Sequence, residues 1–280
     1  MEYLDHRVEL IEERAVAVLD AVEPTPLAEQ VRHVVLSGGK RVRPMVTLLA
    51  CEAVGGETED ALDFAVGIEL VHSASLVVDD VIDDSDTRRG TDSAWAAFGY
   101  GPALIASDGL LGEAFSLLLA DERATEIIAG AMVELGEGEA IELAAVPETN
   151  EEYLGLARRK TGALFRAAAQ LGAVAADAEE GTIDAFGEYA EDVGVAFQIR
   201  DDVLDATADA DALGKPAGRD AAMDRPSIVQ VTDQSLEEAN DQAHEHADDA
   251  LEALSSVEIT NDRAEEYLRD LAEFVVVREQ

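Results

Sequence analysis

The chain has 280 residues, with 61 Asp and Glu against 20 Lys and Arg, and a formal net charge of −41. That balance disfavours a nucleic-acid partner, since phosphates would be repelled. A 48% apolar content argues against a disordered acidic protein and suffices for a core.

Acid is spread along the whole sequence rather than gathered in a tail. At about 1 M salt the Debye length falls to roughly 3 Å, so such a surface stops repelling itself. The composition therefore points to a halophilic source. The single cysteine, Cys51, rules out an internal disulfide and fits a reducing cytoplasm. The N-terminus is acidic and amphipathic, unlike a secretory signal, and no apolar run is expected to span a membrane.

In chain order, nearly every segment has helical periodicity. Helices are expected over Leu4 to Val22, Leu27 to Leu36, from Pro44 onward, and over Asp60 to Asp80. They continue over Leu104 to Leu119, Glu122 to Leu143, Glu151 to Leu171 and Ile183 to Asp205. Amphipathic helices near Leu236–Leu254 and Asp262–Val277 close the series. All seven prolines fall in junctions or first turns, and no alternating strand pattern competes. The expectation is one all-α domain, residues 1–280, of about ten helices.

Two helix ends carry the same pattern. Asp79-Asp80-Val81-Ile82-Asp83 ends one apolar stretch and Asp201-Asp202-Val203-Leu204-Asp205 another. Residues i and i+4 share a helix face, so Asp79 lies beside Asp83 and Asp201 beside Asp205. Carboxylates so placed repel one another, and a hard divalent cation would explain them. Mg²⁺ takes one or two carboxylates per ion and completes its shell with water and substrate phosphates. Two facing patches would clamp a diphosphate.

The lysines sharpen this reading. Only Lys40, Lys160 and Lys215 remain in the chain. Each sits in a Gly-, Thr- or Pro-containing junction: Gly38-Gly39-Lys40-Arg41, Lys160-Thr161-Gly162 and Gly214-Lys215-Pro216-Ala217-Gly218. Ammonium groups near backbone turns are suited to phosphate.

With these motifs in place, the chain resembles the trans-polyprenyl diphosphate synthase family. The resemblance runs from about residue 35 to the C-terminus and rests on five motifs in the family's order. They are Gly38 to Pro44, Asp79 to Gly90 with its Arg88-Arg89-Gly90, Lys160 to Phe165, Phe197 to Asp205, and Gly214 to Asp220. The resemblance implies an isoprenoid-synthase-like bundle with a central cavity. It implies head-to-tail condensation of an allylic diphosphate with isopentenyl diphosphate, in a protein that is commonly a homodimer. By position, Asp79, Asp80, Asp83, Asp201, Asp202 and Asp205 would hold Mg²⁺. Arg88, Lys160, Thr161, Gln198 and Lys215 would contact the allylic diphosphate. Lys40, Arg43, His72 and Arg89 would bind isopentenyl diphosphate, and Arg225 would supply charge from a second basic loop.

The growing chain, by the same resemblance, runs down the helix ending in Asp79-Asp80. Ala74 and Ser75 are small where short-product members carry a bulky floor, and Val71 and Ile68 are the expected lower wall. This ranks a twenty-carbon product first, longer products second and a fifteen-carbon product third. Val78, Glu142 and Arg225 depart from the family's usual residues. A class I terpene cyclase would not need Lys40, Arg43 and Arg89, and a non-catalytic subunit would be expected to lose one aspartate motif. Neither alternative fits as well.

Overall fold

The structure is a computed structural model that describes residues 2–144, 147–211, 227–232 and 234–277. Helices dominate it. The chain runs through α1 (Glu2–Asp20), α2 (Thr25–Leu36), α3 (Val42–Ala53) and α4 (Thr58–Ile82). A small hairpin follows, β1 (Thr87–Arg88) with β2 (Thr91–Asp92), then α5 (Ala94–Phe98), α6 (Tyr100–Leu118) and α7 (Glu122–Ala144). Next come α8 (Asn150–Ala157), a π-helical turn (Arg158–Gly162) and α9 (Ala163–Ala175). The described chain ends with α10 (Glu180–Asp211), α11 (Ile228–Val231), α12 (Leu236–Ser255) and α13 (Asp262–Val277).

Every expected helix is present, with ends moved by a few residues, as fraying and capping allow. The short α5 and α11 are additional. Where one unbroken helix was expected from Glu151 to Leu171, the π turn interrupts it. The hairpin was also not foreseen. Its four paired residues are too few to show alternation, and its turn rests on Arg89 and Gly90, both at positive φ (54° and 82°). That is the backbone a two-residue hairpin loop requires.

Helix α4 is the hub. It packs against α3, α6 and α9, and Ala61, Phe64, Ala65, Val66, Ile68, Leu70 and Val71 lie in one continuous core with residues from α1 to α13. By length and composition α4 is apolar enough to cross a membrane, but 67% of its most apolar window is buried inside the protein, as in a core helix. Its apolarity serves neighbours on several sides, which is why it lacks a polar face. Its start is fixed by reciprocal capping between Glu57 and Asp60. Alanine and glycine let the helices close in. A Cβ on Gly172 of α9 would lie 2.2 Å from the Thr47 carbonyl oxygen of α3, so the two backbones nearly touch. Cys51 is buried in this core, its thiol pKa pushed up to about 12 by burial and then by nearby acids, which suits an inert packing residue.

Candidate active site

The C-terminal end of α4 carries the first aspartate motif. Asp80 is 3% exposed, and the chain beyond α4 turns back through the hairpin so that Arg88 meets it. Arg88 donates from Nε (2.9 Å) and Nη2 (2.5 Å) to Asp80 Oδ1. Asp79 and Asp83 are partly exposed beside it. The second motif sits within α10 and repeats the division. Asp202 is buried and receives the Tyr153 hydroxyl (2.7 Å), the Ile228 backbone N–H (2.8 Å) and Gln198 Nε2 (3.0 Å). Asp201 is partly exposed and Asp205 exposed. In each motif one carboxylate is buried while the others are partly or fully exposed.

Lys160 and Thr161 lie on the π turn, a distortion often found at functional sites. The turn presses against α10 closely enough that a Cβ on Gly194 would meet Gly162 Cα at 3.0 Å. From there Thr161 Oγ1 donates to Gln198 Oε1 (2.8 Å), while Lys160 hydrogen-bonds Glu142 and lies 3.4 Å from Glu139. Burial by itself lowers the Lys160 pKa, but Glu142, Glu139 and Asp79 raise it overall, so the ammonium stays charged. Glu139 is pushed up to about 7 by burial and then by the charge of Asp79, against the pull of Lys160. The π turn thus joins the surroundings of both aspartate motifs. Tyr153, Glu139 and Glu142 complete this region. Tyr153 gave no sequence signal beyond a buried helix position, because its partner is 49 residues away.

Among the described residues, no three His, Cys, Asp or Glu side chains converge as a ready-made metal cage. The donor set still suits Mg²⁺, a hard ion that takes one or two carboxylates and fills its shell from water and phosphate. Partly exposed carboxylates at the end of α4 and within α10 are that kind of partial site.

A second region, of opposite charge, lies further toward the start of α4. Between α2 and α3 the loop adopts positive φ at Gly38, Gly39 and Arg41 (94°, 141° and 50°). Arg43, in the first turn of α3, stacks over the Phe165 ring (4.5 Å) and approaches His72 Nε2 (3.3 Å). Its Nε is buried with no hydrogen-bond partner among the described residues. Burial lowers the Arg43 pKa to about 10, with Glu69 opposing and Arg89 reinforcing the shift. His72 is pushed well below 6.5, first by burial and then by Arg43, Arg89, Arg88 and Arg41. Its imidazole is therefore neutral, and Nε2 accepts from Arg43. Arg89 donates from Nη1 to the Gly38 carbonyl. Arg43, His72 and Arg89 thus share one electrostatic neighbourhood. Lys40 is exposed on the same loop, at the rim of an apolar groove between α1, α3 and α13. Lys215, Arg225 and the Gly214 to Asp220 motif lie outside the described residues.

Beside Asp79 opens a cavity of about 220 Å³ lined by Val71, Ala74, Ser75 and Val78 of α4, Ser107 and Leu111 of α6, and Met132 and Leu135 of α7. Val71, Ala74 and Ser75 of the sequence expectation are in this lining. Ile68 is fully buried but not part of the lining. The lining on α4 stops at Val71, ~12 Å along the axis from Asp79 at 1.5 Å per residue. The remaining walls come from α6 and α7, whose register against α4 no local pattern reveals.

An all-α bundle with two anchored aspartate motifs, a separate arginine–histidine pocket and an apolar cavity at the carboxylate end defines a class: prenyltransferases of the isoprenoid synthase type. The chain belongs to the polyprenyl synthetase family, whose sequence model matches residues 24–266. It is 34% identical over 254 residues to a short chain isoprenyl diphosphate synthase of Methanothermobacter thermautotrophicus, covering 88% of this chain and 78% of that one. It is 35% identical over 256 residues to the octaprenyl diphosphate synthase of Escherichia coli, covering 84% and 78%. The crystal structure of a geranylgeranyl pyrophosphate synthetase from Pyrococcus horikoshii superposes with a TM-score of 0.89 at 33% identity, over 100% of both chains.

Proposed function

We propose that the protein condenses isopentenyl diphosphate with an allylic diphosphate, head to tail, and releases diphosphate. The observation that carries this reading is the segregation of charge: aspartate motifs at the end of α4 and within α10, joined by the Lys160–Thr161 turn, beside an arginine–histidine cluster without that arrangement. Asp79, Asp80, Asp83, Asp201, Asp202 and Asp205 would hold Mg²⁺, which supplies Lewis-acid stabilisation of the leaving diphosphate when bound. Arg88, Lys160, Thr161, Gln198 and Lys215 orient that diphosphate and stabilise charge growing on it. Glu142 and Glu139 hold Lys160 in place. Lys40, Arg43, His72 and Arg89, with Arg225 on the second basic loop, bind isopentenyl diphosphate. The unpartnered Arg43 Nε offers a buried donor to its oxygens. A neutral His72 can donate from Nδ1 while accepting from Arg43. The segregation matters because only the allylic substrate should ionise.

The cavity under Asp79 takes the growing chain. Small Ala74 and Ser75 leave its entrance open, which supports a product longer than fifteen carbons, and with the acidic, halophilic composition we rank geranylgeranyl diphosphate, twenty carbons, first, longer products second and a fifteen-carbon product third. We read residues 1–280 as one cytoplasmic domain from a halophile, acting as a homodimer. Leu104, Ile105 and Leu119 at α6 and Val133, Ile141 and Leu143 on α7 are exposed apolar side chains that a second copy would cover. The charge of −41 supports the halophilic reading.

Radiolabelled isopentenyl diphosphate, offered with allylic primers in molar salt and Mg²⁺, tests the whole. Primer-dependent products ending at geranylgeranyl diphosphate are expected. Cyclised hydrocarbon formed without isopentenyl diphosphate would refute the reading.

A further inference from the structure

The basic pocket contains a buried carboxylate that the proposed reaction does not itself use. Glu69, on α4 one turn before His72, is 3% exposed. It accepts a hydrogen bond from Arg41 Nη1 at 2.5 Å, and the Arg41 side chain is equally buried. Arg41 Nη2 donates to the Val35 carbonyl (2.7 Å) in the last turn of α2, where an arginine also meets the helix dipole favourably. Glu12, much more exposed, lies 3.7 Å from Arg41 Nε. Arg41 itself adopts a left-handed backbone that a β-carbon disfavours. Its side chain is therefore clamped between α2 and α4 at the point where the chain turns into α3.

Three proposed diphosphate contacts depend on that turn. Lys40 immediately precedes Arg41, and Arg43 follows it by two residues. Arg89 binds the Gly38 carbonyl and lies against Gly39 so closely that a Cβ there would meet its Nη1 at 2.6 Å. The fourth, His72, lies one turn beyond Glu69 on the same helix. The Arg41–Glu69 pair thus ties the loop bearing Lys40, Arg43 and the Arg89 contact to the helix bearing His72. A buried ion pair is weak evidence for stability, since a well-packed apolar pair often serves as well. Here it fixes geometry.

We propose that Glu69 is a positioning residue for the isopentenyl diphosphate pocket, acting through Arg41 to set the left-handed loop from Gly38 to Arg41. This inference rests on the substrate assignment above. It touches only the second substrate, because the Asp79 and Asp201 motifs draw their anchors from Arg88, Tyr153 and Gln198.

The test is Glu69→Gln in the full chain, with the two substrates varied independently in molar salt. Gln keeps the shape and removes the charge that grips Arg41. KM for isopentenyl diphosphate should rise about tenfold, with allylic KM changed by less than about twofold and kcat at saturation largely retained. Glu69→Asp, which keeps the charge but shortens the reach, should fall between Gln and the natural residue. An unchanged isopentenyl diphosphate KM would overturn the proposal, as would equal losses for both substrates in step with a lower melting temperature. Should Glu69→Gln not fold, the double variant Arg41→Met with Glu69→Leu replaces the pair by apolar packing and must still show the selective rise. A natural enzyme that makes no prenyl product would instead sink the substrate assignment itself.

Discussion

The two charged regions of this protein are built in opposite ways. The aspartate motifs occupy regular helix, one at the end of α4 and one within α10, where Asp80 and Asp202 are buried and held by neutral or cationic donors while their neighbours are more exposed. The arginine–histidine cluster is built on irregular backbone, with positive φ at Gly38, Gly39, Arg41 and Arg89, a buried Arg41 and a buried Arg43 Nε. Regular helix suffices for a site that gathers solvated cations, because the ions bring water and need few protein ligands. Anion recognition by arginine needs directed donors, and the loop must be bent to aim them. One region leaves excess negative charge and the other excess positive charge, in a chain whose background is overwhelmingly acidic.

The largest expected effect separates the regions outright. Asp79→Ala and Asp201→Ala should each lower kcat by about 10²–10³-fold or more, the range for losing a preorganised electrostatic stabiliser, while circular dichroism shows an intact fold. EDTA should abolish turnover reversibly. Near-normal rates in either variant, or full turnover in EDTA, would erase the distinction between a cation-gathering and an anion-gathering end.

Next in size, Arg43→Ala should raise KM chiefly for isopentenyl diphosphate by about 10–100-fold, a charge-assisted hydrogen bond's worth, whereas Lys160→Ala should act through the allylic substrate. Initial-rate kinetics with each substrate varied would show the split; identical patterns would mean that the regions serve one ligand.

Ala74→Phe probes the cavity on the carboxylate side. A phenyl ring in a space of about 220 Å³ should shift product toward fifteen carbons, read by chromatography of the dephosphorylated chains. Unchanged length would place the limiting wall at Leu111, Met132 or Leu135 instead.

The smallest effect concerns His72. Its folded pKa is depressed, so the unfolded chain binds more protons once the pH falls toward about 6.5. The stability associated with the neutral ring is complete above that pH and is lost as the pH falls below it, by at most about 1.4 kcal/mol per pH unit. Denaturation in molar salt between pH 5 and 7.5 should show a steeper loss for the natural protein than for His72→Asn. Parallel curves would mean that the ring gains a proton as easily folded as unfolded.

Much of the fold was legible because its signals are local. Helical periodicity placed the ten long helices, and prolines marked their junctions. The hairpin, α5 and α11 were not legible, since two to five residues cannot display a period. The π turn was also hidden: Thr161 and Gly162 mark a weak spot in the helix but not a π turn, and the turn packs against Glu191 and Gly194. Motifs identified Asp79, Asp80, Asp201 and Asp202 as a set, yet gave no hint that Asp80 and Asp202 turn inward to Arg88 and Tyr153.

The sequence by itself determined the helices, the spacing of the aspartates and the retention of lysine in three Gly-, Thr- or Pro-containing stretches, because each depends on residues a few positions apart. Tertiary structure decided which carboxylates are anchored, that Glu142 and Glu139 hold Lys160, that Met132 and Leu135 rather than Ile68 wall the cavity, and that Glu69 grips Arg41. Those contacts join residues from 8 positions apart, as in Arg88–Asp80, to 49, as in Tyr153–Asp202, or set the register of one helix against another, and burial gives them their strength. Charge and burial at such distances are properties of the packed bundle, which no local pattern encodes.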